Sequence, residues 1–247
     1  MLSGWWRLPF LLSLPLGFVG IWIRLRLEDS PQFRKLEESG QVAKAPLVEF
    51  FQKHKAPLLK TLGLSVLLFA GYYVVYVYMA IYLQRSAGFS SSAAFWSTTA
   101  TIAVSCAAMP AFGALSDRVG RKPVFIGSAV SMLVLLFPAF AVINSGDPVL
   151  ATVSHVLLGL PESASMAVAF SAFAELFTAR VRYTGIALGF NLASMSVGGT
   201  APYISTYLID RTGDILSPAY FLAAAAVVTL LTALTLKETA GTALRET

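Results

Sequence analysis

The sequence predicts an all-α membrane protein with seven transmembrane helices. Three observations carry this reading. Of the 247 residues, 56% are hydrophobic and only 13% charged, where a soluble domain carries about 25% charged residues. The mean hydropathy is +0.70, and so much apolar surface needs lipid as its solvent. Apolar runs recur seven times at the ~20 residues that cross ~30 Å of hydrocarbon. The net charge of +5 sits in short basic clusters between those runs. That pattern fits topology determinants and anionic-lipid contacts, not nucleic acid.

The first span is Trp5–Leu27. Arg7 ahead of an apolar stretch resembles a secretory leader. The stretch is long enough to span, however, and no small-x-small cleavage site follows, so it reads as a retained helix. Residues 28–58 form a connector of mixed charge. The other spans are Leu59–Leu83, Ala93–Leu115, Val124–Ile143, Val149–Phe177, Thr184–Ile209 and Tyr220–Leu236. Short turns rich in Gly, Ser, Asp or Pro separate several of them: Ala87–Ser92, Asn144–Pro148 and Asp210–Ser217. Trp5, Trp6 and Trp96 fall near span ends, where interfacial belts place tryptophan. Residues 59–236 thus make a six-helix unit, and 237–247 a tail.

Charge sets the orientation. With the connector in the cytoplasm, every Lys and Arg of the 18 lies on that side except Arg7, Arg85 and Arg211. The positive-inside rule then puts the N-terminus outside and the C-terminus in the cytoplasm. The single cysteine, Cys106, allows no internal disulfide. The only two histidines, His54 and His155, are far apart, so no metal is expected.

One loop carries an ordered motif, Gly113-x-x-x-Asp117-Arg118-x-Gly120-Arg121-Lys122, between the third and fourth spans. An ordinary positive-inside loop accounts for its Arg and Lys, but not for the order of Gly, Asp, Arg, Gly, Arg, Lys. Gly113 and Gly120 permit close backbone approach or an unusual turn. Asp117 is expected to pair with the guanidinium groups and to open the following helix, where negative charge is favoured.

This motif resembles the loop signature of the major facilitator superfamily, in its copy between helices eight and nine. The likeness runs along nearly the whole chain. Gly4–Pro9 and Leu14–Gly20 resemble helix six of the metabolite:proton symporter family, and Leu27-Glu-Asp-Ser-Pro31-x-Phe33 the segment after it. Arg182-Tyr183-Thr-Gly, Phe190-Asn191, Gly198-Gly199-Thr-Ala-Pro202, Pro218-Ala-Tyr220 and Lys237-Glu-Thr239 resemble the last two helices and tail. Within that family the proline/betaine–proton symporters are most similar, alongside carriers of 2-oxoglutarate, citrate and shikimate. The resemblance implies helix six plus the C-terminal half of a twelve-helix fold, with substrate held between two six-helix halves near the midplane. It implies alternating access driven by a proton, with no other cofactor, in the inner (plasma) membrane. The first five helices have no counterpart here. The chain by itself is therefore expected to need that five-helix segment as partner and not to transport alone.

Glu162 is the most informative residue, because it lies mid-span, where an ionised side chain costs ~2.5–3.5 kcal/mol or more. A carboxyl at that depth could take up and release a proton, contact substrate, or satisfy backbone groups freed by Pro161. His155 lies two turns away on the same face, ~10 Å along the axis, too far to pair directly. Tyr72, Tyr73 and Tyr76 share one side of the second span; Tyr73 and Tyr76 suit either a cavity wall or helix packing. Tyr78 and Tyr82 are expected in the interfacial belt. Asn191 suits a substrate contact or an interhelical hydrogen bond. Glu175, Arg180 and Arg182 read as a cytoplasmic charge network, either a gate or a solvated loop.

Four other functions compete. A seven-helix receptor is suggested by Asp117-Arg118-Val119, but the surrounding motif and the lone cysteine weigh against it. A retinal protein would need a lysine mid-way along the last span, and Lys237 lies at its end. An intramembrane enzyme would need a nucleophile and base at one depth, which Ser163 and Ser165 beside Glu162 do not supply. A transport-dead partner half would have the same sequence. No buried Lys or Arg occurs within the spans, which disfavours a multiply charged anion and points to proline, betaine or a similar osmolyte ahead of an organic acid.

Overall fold

Long apolar runs form helices throughout, because inside a bilayer only a helix satisfies each backbone N–H and C=O within its own segment. A computed structural model describes residues 7–26, 54–179 and 181–241, and no strand occurs among them. The chain divides into two compact units, Met1–Val42 and Ala43–Thr247. In the first, α1 runs Leu8–Arg26 with Pro15 inside it. Trp5, Trp6, most of the connector and the post-helix-six motif lie outside the described residues.

The second unit contains α2 (Lys55–Arg85), α3 (Ser91–Val119), α4 (Arg121–Ile143) and α5 (Pro148–Leu176). It continues with α6 (Arg182–Ala193), α7 (Ala201–Thr212) and α8 (Ser217–Leu234). Among the described residues, α2, α3, α4, α5 and α8 are long and apolar enough to cross a membrane. Local chemistry sets their ends. Ser90 caps α3 by accepting from the Ala93 N–H at 3.2 Å. Asp147 caps α5 through the N–H groups of Val149 and Leu150. Each cap occupies donors that a helix start leaves unpaired.

Of these spans, α2 and α5 are the most buried and α3 the least. One core cluster joins the middle of α2 to α4, α5 and α8 through Leu67, Val74, Met132, Leu136, Leu158 and Leu222. A second joins Leu64 and Leu68 of α2 to Phe125 and Phe173. Apolar attraction between helices is weak in lipid, so polar contacts matter more to pairing. Thr229 of α8 shows this. Its Oγ1 accepts from the Leu67 N–H (3.0 Å) and donates to the Gly63 carbonyl (2.8 Å), the two groups an unbroken α2 would join to each other.

Four expectations are corrected. The span Thr184–Ile209 is not one helix: a π-helical turn, Ser194–Gly198, and a bend at Gly199 and Thr200 divide α6 from α7. Gly198 lies against the Tyr73 ring, so close that a Cβ there would meet Cε2 at 2.7 Å. Gly113 sits inside α3 and not in the turn, and of these two glycines only Gly120 has a positive φ (+105°). Asp117 belongs to the last turn of α3, not to the start of α4. Tyr78 and Tyr82 are buried in the core and not in a lipid-facing belt. The Tyr82 hydroxyl donates to the Ile215 carbonyl (3.0 Å) and accepts from Asn144 Nδ2 (2.8 Å), which a belt position could not offer.

Candidate functional site

The sequence Gly71-Tyr-Tyr-Val-Val-Tyr-Val-Tyr78 crowds aromatic and β-branched residues into two turns. There α2 widens into a π-helical stretch, Tyr72–Tyr78. Such bulges often mark functional positions, because they break the regular ladder of carbonyls. One of those carbonyls, Val75 O, takes a hydrogen bond from His155 Nε2 at 2.7 Å. A carbonyl only accepts, so Nε2 carries the hydrogen, and Nδ1 faces Ser97 Oγ of α3 at 3.0 Å. A neutral ring satisfies both contacts, with Ser97 donating to Nδ1. His155 thus pins three helices together, well away from Glu162.

Glu162 has no such partners. It is fully buried, and neither carboxyl oxygen makes a hydrogen bond among the described residues. Its carboxyl lies directly against the backbone of α2: a Cβ on Gly71 would collide with Oε2. Among the described residues no hydrogen bond joins Glu162 to a backbone group freed by Pro161. Ser128 Oγ donates to the Pro161 carbonyl (2.7 Å), and Ser163 Oγ to that of Leu160 (2.8 Å). Most buried polar atoms are paired, so an orphan carboxyl calls for an explanation.

Two cavities are lined by sequence neighbours of Glu162 and Gly71, namely Ser163 and Tyr72, though not by Glu162 itself. Tyr76 donates from its hydroxyl to the Gly159 carbonyl (2.9 Å), one turn before Glu162. Gly159 is pressed by α3 from the other side: a Cβ there would meet Ser105 Oγ at 2.6 Å and Thr101 Cγ2 at 2.7 Å. Ser105 Oγ is itself buried without a partner. One cavity of about 170 Å³ is lined by Tyr72, Tyr76, Ser105, Cys106, Ser163 and Met166, among others. A neighbouring cavity of about 180 Å³ is lined chiefly by Phe69, Tyr72, Tyr73, Met166, Phe170 and Phe190. Tyr72 and Met166 stand between the two. Both Tyr73 and Tyr76 therefore touch a cavity and also pack against another helix. Asn191 is exposed and donates to Ala187 O of its own helix (2.7 Å), not to a neighbouring helix.

The loop motif forms a separate cluster at the α3–α4 turn. Arg121 Nη1 bonds Asp117 Oδ1 (2.6 Å) and Ser116 Oγ (2.8 Å), while Nε reaches Glu175 Oε1 of α5 (3.3 Å). Glu175 thus pairs with Arg121; of the other two residues of the expected trio, Arg182 donates from Nε to the Ala174 carbonyl (2.9 Å), and Arg180 lies outside the described residues. Glu238 of the tail completes the cluster. It accepts from the N–H groups of Arg121 (2.9 Å) and Lys122 (3.1 Å) at the start of α4. In return Lys122 Nζ donates to the Leu234 and Leu236 carbonyls (both 2.9 Å) at the end of α8. Burial pushes the Glu238 carboxyl up, but the N–H donors of Ala240, Arg121, Lys122 and Thr239 outweigh it and hold the group below its usual range.

Sequence reasoning missed Glu238 as a cap, Ser97 as the partner of His155 and Gly71 as the seat for Glu162. The placing of Lys237-Glu-Thr239 just past a span end was a signal for the first. Nothing in the sequence pointed to the other two, which depend on which helices are neighbours.

The sequence profile of the Major Facilitator Superfamily matches residues 61–246. The glycine betaine/proline/ectoine/pipecolic acid transporter OusA of Dickeya dadantii is 34% identical, over 97% of this chain and 50% of that protein. The proline/betaine transporter of Salmonella typhimurium is 32% identical over the same shares. The ectoine/proline transporter ProP of Corynebacterium glutamicum is 30% identical, over 88% of this chain and 45% of its own length. The chain spans about half the length of the curated relatives it matches.

Proposed function

This chain belongs to the major facilitator superfamily, and we propose that it forms one wall of the solute pathway in a proton-coupled carrier for small zwitterionic osmolytes. The observation that carries the reading is the Glu162 carboxyl, fully buried and without a hydrogen-bond partner among the described residues, next in sequence to Ser163, which lines a cavity between α2, α3 and α5. A site that must both bind and release a proton cannot hold its carboxyl in permanent hydrogen bonds to one charge state. Protonation would neutralise Glu162 and let it face an apolar environment. Deprotonation would call for a cation or water to enter, and with it a change in helix packing.

Substrate class follows from the lining. Phe69, Tyr72, Tyr73, Phe170 and Phe190 offer ring faces, which attract a quaternary or secondary ammonium group. Neither cavity is lined by Lys or Arg, so a multiply charged anion finds no counter-ion on this wall. The three relatives above are named for betaine, proline and ectoine among other solutes, which agrees with that chemistry. An organic acid is the second reading, with its cation supplied from the opposite wall. That wall would come from a segment matching the rest of the relatives' length, and the two would rock about the substrate. The excess of basic residues on one side supports a cytoplasmic α3–α4 turn and tail. A transport-dead partner half would share this site without turnover.

Uptake of labelled betaine, proline and 2-oxoglutarate into proteoliposomes under an imposed pH gradient tests the reading. The chain is assayed alone and together with the N-terminal half of a proline/betaine relative. Gradient-driven betaine or proline uptake in the paired sample is expected. Uptake of none of the three refutes the carrier reading. Uptake whose pH dependence survives Glu162→Gln removes Glu162 as the coupling group.

A further inference from the structure

On the far side of α5 from Glu162 lies the largest cavity described in this unit, a groove of about 530 Å³ between α3, α4 and α5. Its lining is almost wholly apolar and includes Leu115, Val119, Gly127, Leu135, Leu157 and Pro161. Its two polar lining residues are Ser128 and Ser131, and Ser128 is already satisfied by the Pro161 carbonyl and Ser165 Oγ (2.6 Å). The groove therefore offers contact area and almost no hydrogen bonding.

Its length and its mouth identify the occupant. Along α4 the lining runs from Pro123 to Leu135, ~18 Å at the helical rise. That matches the ~15 Å depth of one leaflet, half of ~30 Å of hydrocarbon, and is too short to seat a spanning helix along its length. At the end of the groove in the α3–α4 turn stands Arg118. It is exposed, adjacent to lining Val119, one turn beyond lining Leu115, and among the described residues no hydrogen bond or ion pair engages its guanidinium. Its neighbours Arg121 and Lys122 are both engaged, by Asp117 and Glu175 and by the end of α8. We infer that this groove is a binding site for an anionic glycerophospholipid, one acyl chain lying along α4 and the phosphate paired with Arg118.

Gly127 gives a clean way to close the groove. It lines the cavity, and a Cβ there meets nothing within 4 Å, so a larger side chain fills lipid space without displacing protein. The full chain is placed in phosphatidylcholine nanodiscs with a trace of phosphatidylglycerol or phosphatidylcholine carrying a mid-chain photoreactive group. It is then irradiated and its labelled peptides are mapped. Labelling of the α3 and α4 groove segments by the phosphatidylglycerol probe, in excess of the phosphatidylcholine probe, is the expected result. Gly127→Leu abolishes that excess, and Arg118→Gln lowers it about five-fold, the factor one basic residue contributes beside an anionic headgroup. Equal labelling by the two probes, or an excess unchanged in both variants, overturns the site. So does a disulfide-linked dimer formed through Gly127→Cys in a Cys106→Ser background, which would seat a second copy in the groove.

Discussion

Replacing Glu162 with methionine should stabilise the protein while abolishing the proposed coupling. Both carboxyl oxygens are buried and unpaired, and each buried unsatisfied polar group costs about 1–3 kcal/mol. Methionine keeps the unbranched length of the side chain, and its flexible thioether adapts to the same space, so repacking costs less than about 1.5 kcal/mol. The net expectation is a gain of about 1–2 kcal/mol. Titration of the purified full chain with SDS, followed by far-UV circular dichroism, reads the difference. A loss of more than about 1 kcal/mol would mean that the carboxyl is held by interactions that stabilise the fold, and the argument from an orphan group would fail. A double-mutant cycle isolates the contact. Gly71→Ala puts a Cβ on Oε2 and should cost about 1–3 kcal/mol in the parent chain, but little in a Glu162→Ala background. Additive effects would show that the two residues do not touch.

Three other perturbations address the clusters outside that site. Glu238→Gln should cost about 0.5–1 kcal/mol near neutral pH, the lower part of the range for a helix cap because solvent reaches this carboxylate. The folded-state value is depressed below the usual 4.5, so the stabilisation is present above 4.5 and lost as pH falls through the lowered value. Denaturation curves of parent and variant should converge in acid, and a difference that persists there would contradict the cap. His155→Leu leaves Ser97 Oγ and the Val75 carbonyl unpaired in the core and should destabilise by about 2–4 kcal/mol; a neutral result in the same SDS titration would argue against the pin. Gly120→Ala must hold an L-residue at φ +105° with its Cβ against the Glu238 carboxylate. It should cost at least about 1 kcal/mol, with faster proteolysis at the α3–α4 turn as the readout.

The membrane class, five of the seven spans and the carrier family were legible in the sequence, because each rests on local properties. A run of ~20 apolar residues must become a helix in lipid, whatever its neighbours. The order Gly113, Asp117, Arg118, Gly120, Arg121, Lys122 could be read as a motif without knowing what it touches. Glu162 could be singled out on transfer cost alone.

Whatever depended on which faces of which helices meet had to wait for the tertiary structure. Periodicity put Tyr78 and Tyr82 near a span end and suggested the interface. Packing of α2 against α4 and the turn before α8 buried them instead and gave Tyr82 its two partners. Sequence proximity grouped Glu175 with Arg180 and Arg182, whereas its contact with Arg121 across the α3–α4 turn comes from the arrangement of α3, α4 and α5. The break within Thr184–Ile209 is invisible to hydropathy, since a π turn and a bend are as apolar as the helices they join. Hydropathy fixes how deep a residue lies, whereas the rotation and pairing of helices decide whether that depth holds lipid, a cavity or another side chain. That is why Glu162 could be found from the sequence, while its solitude beside Gly71 could not.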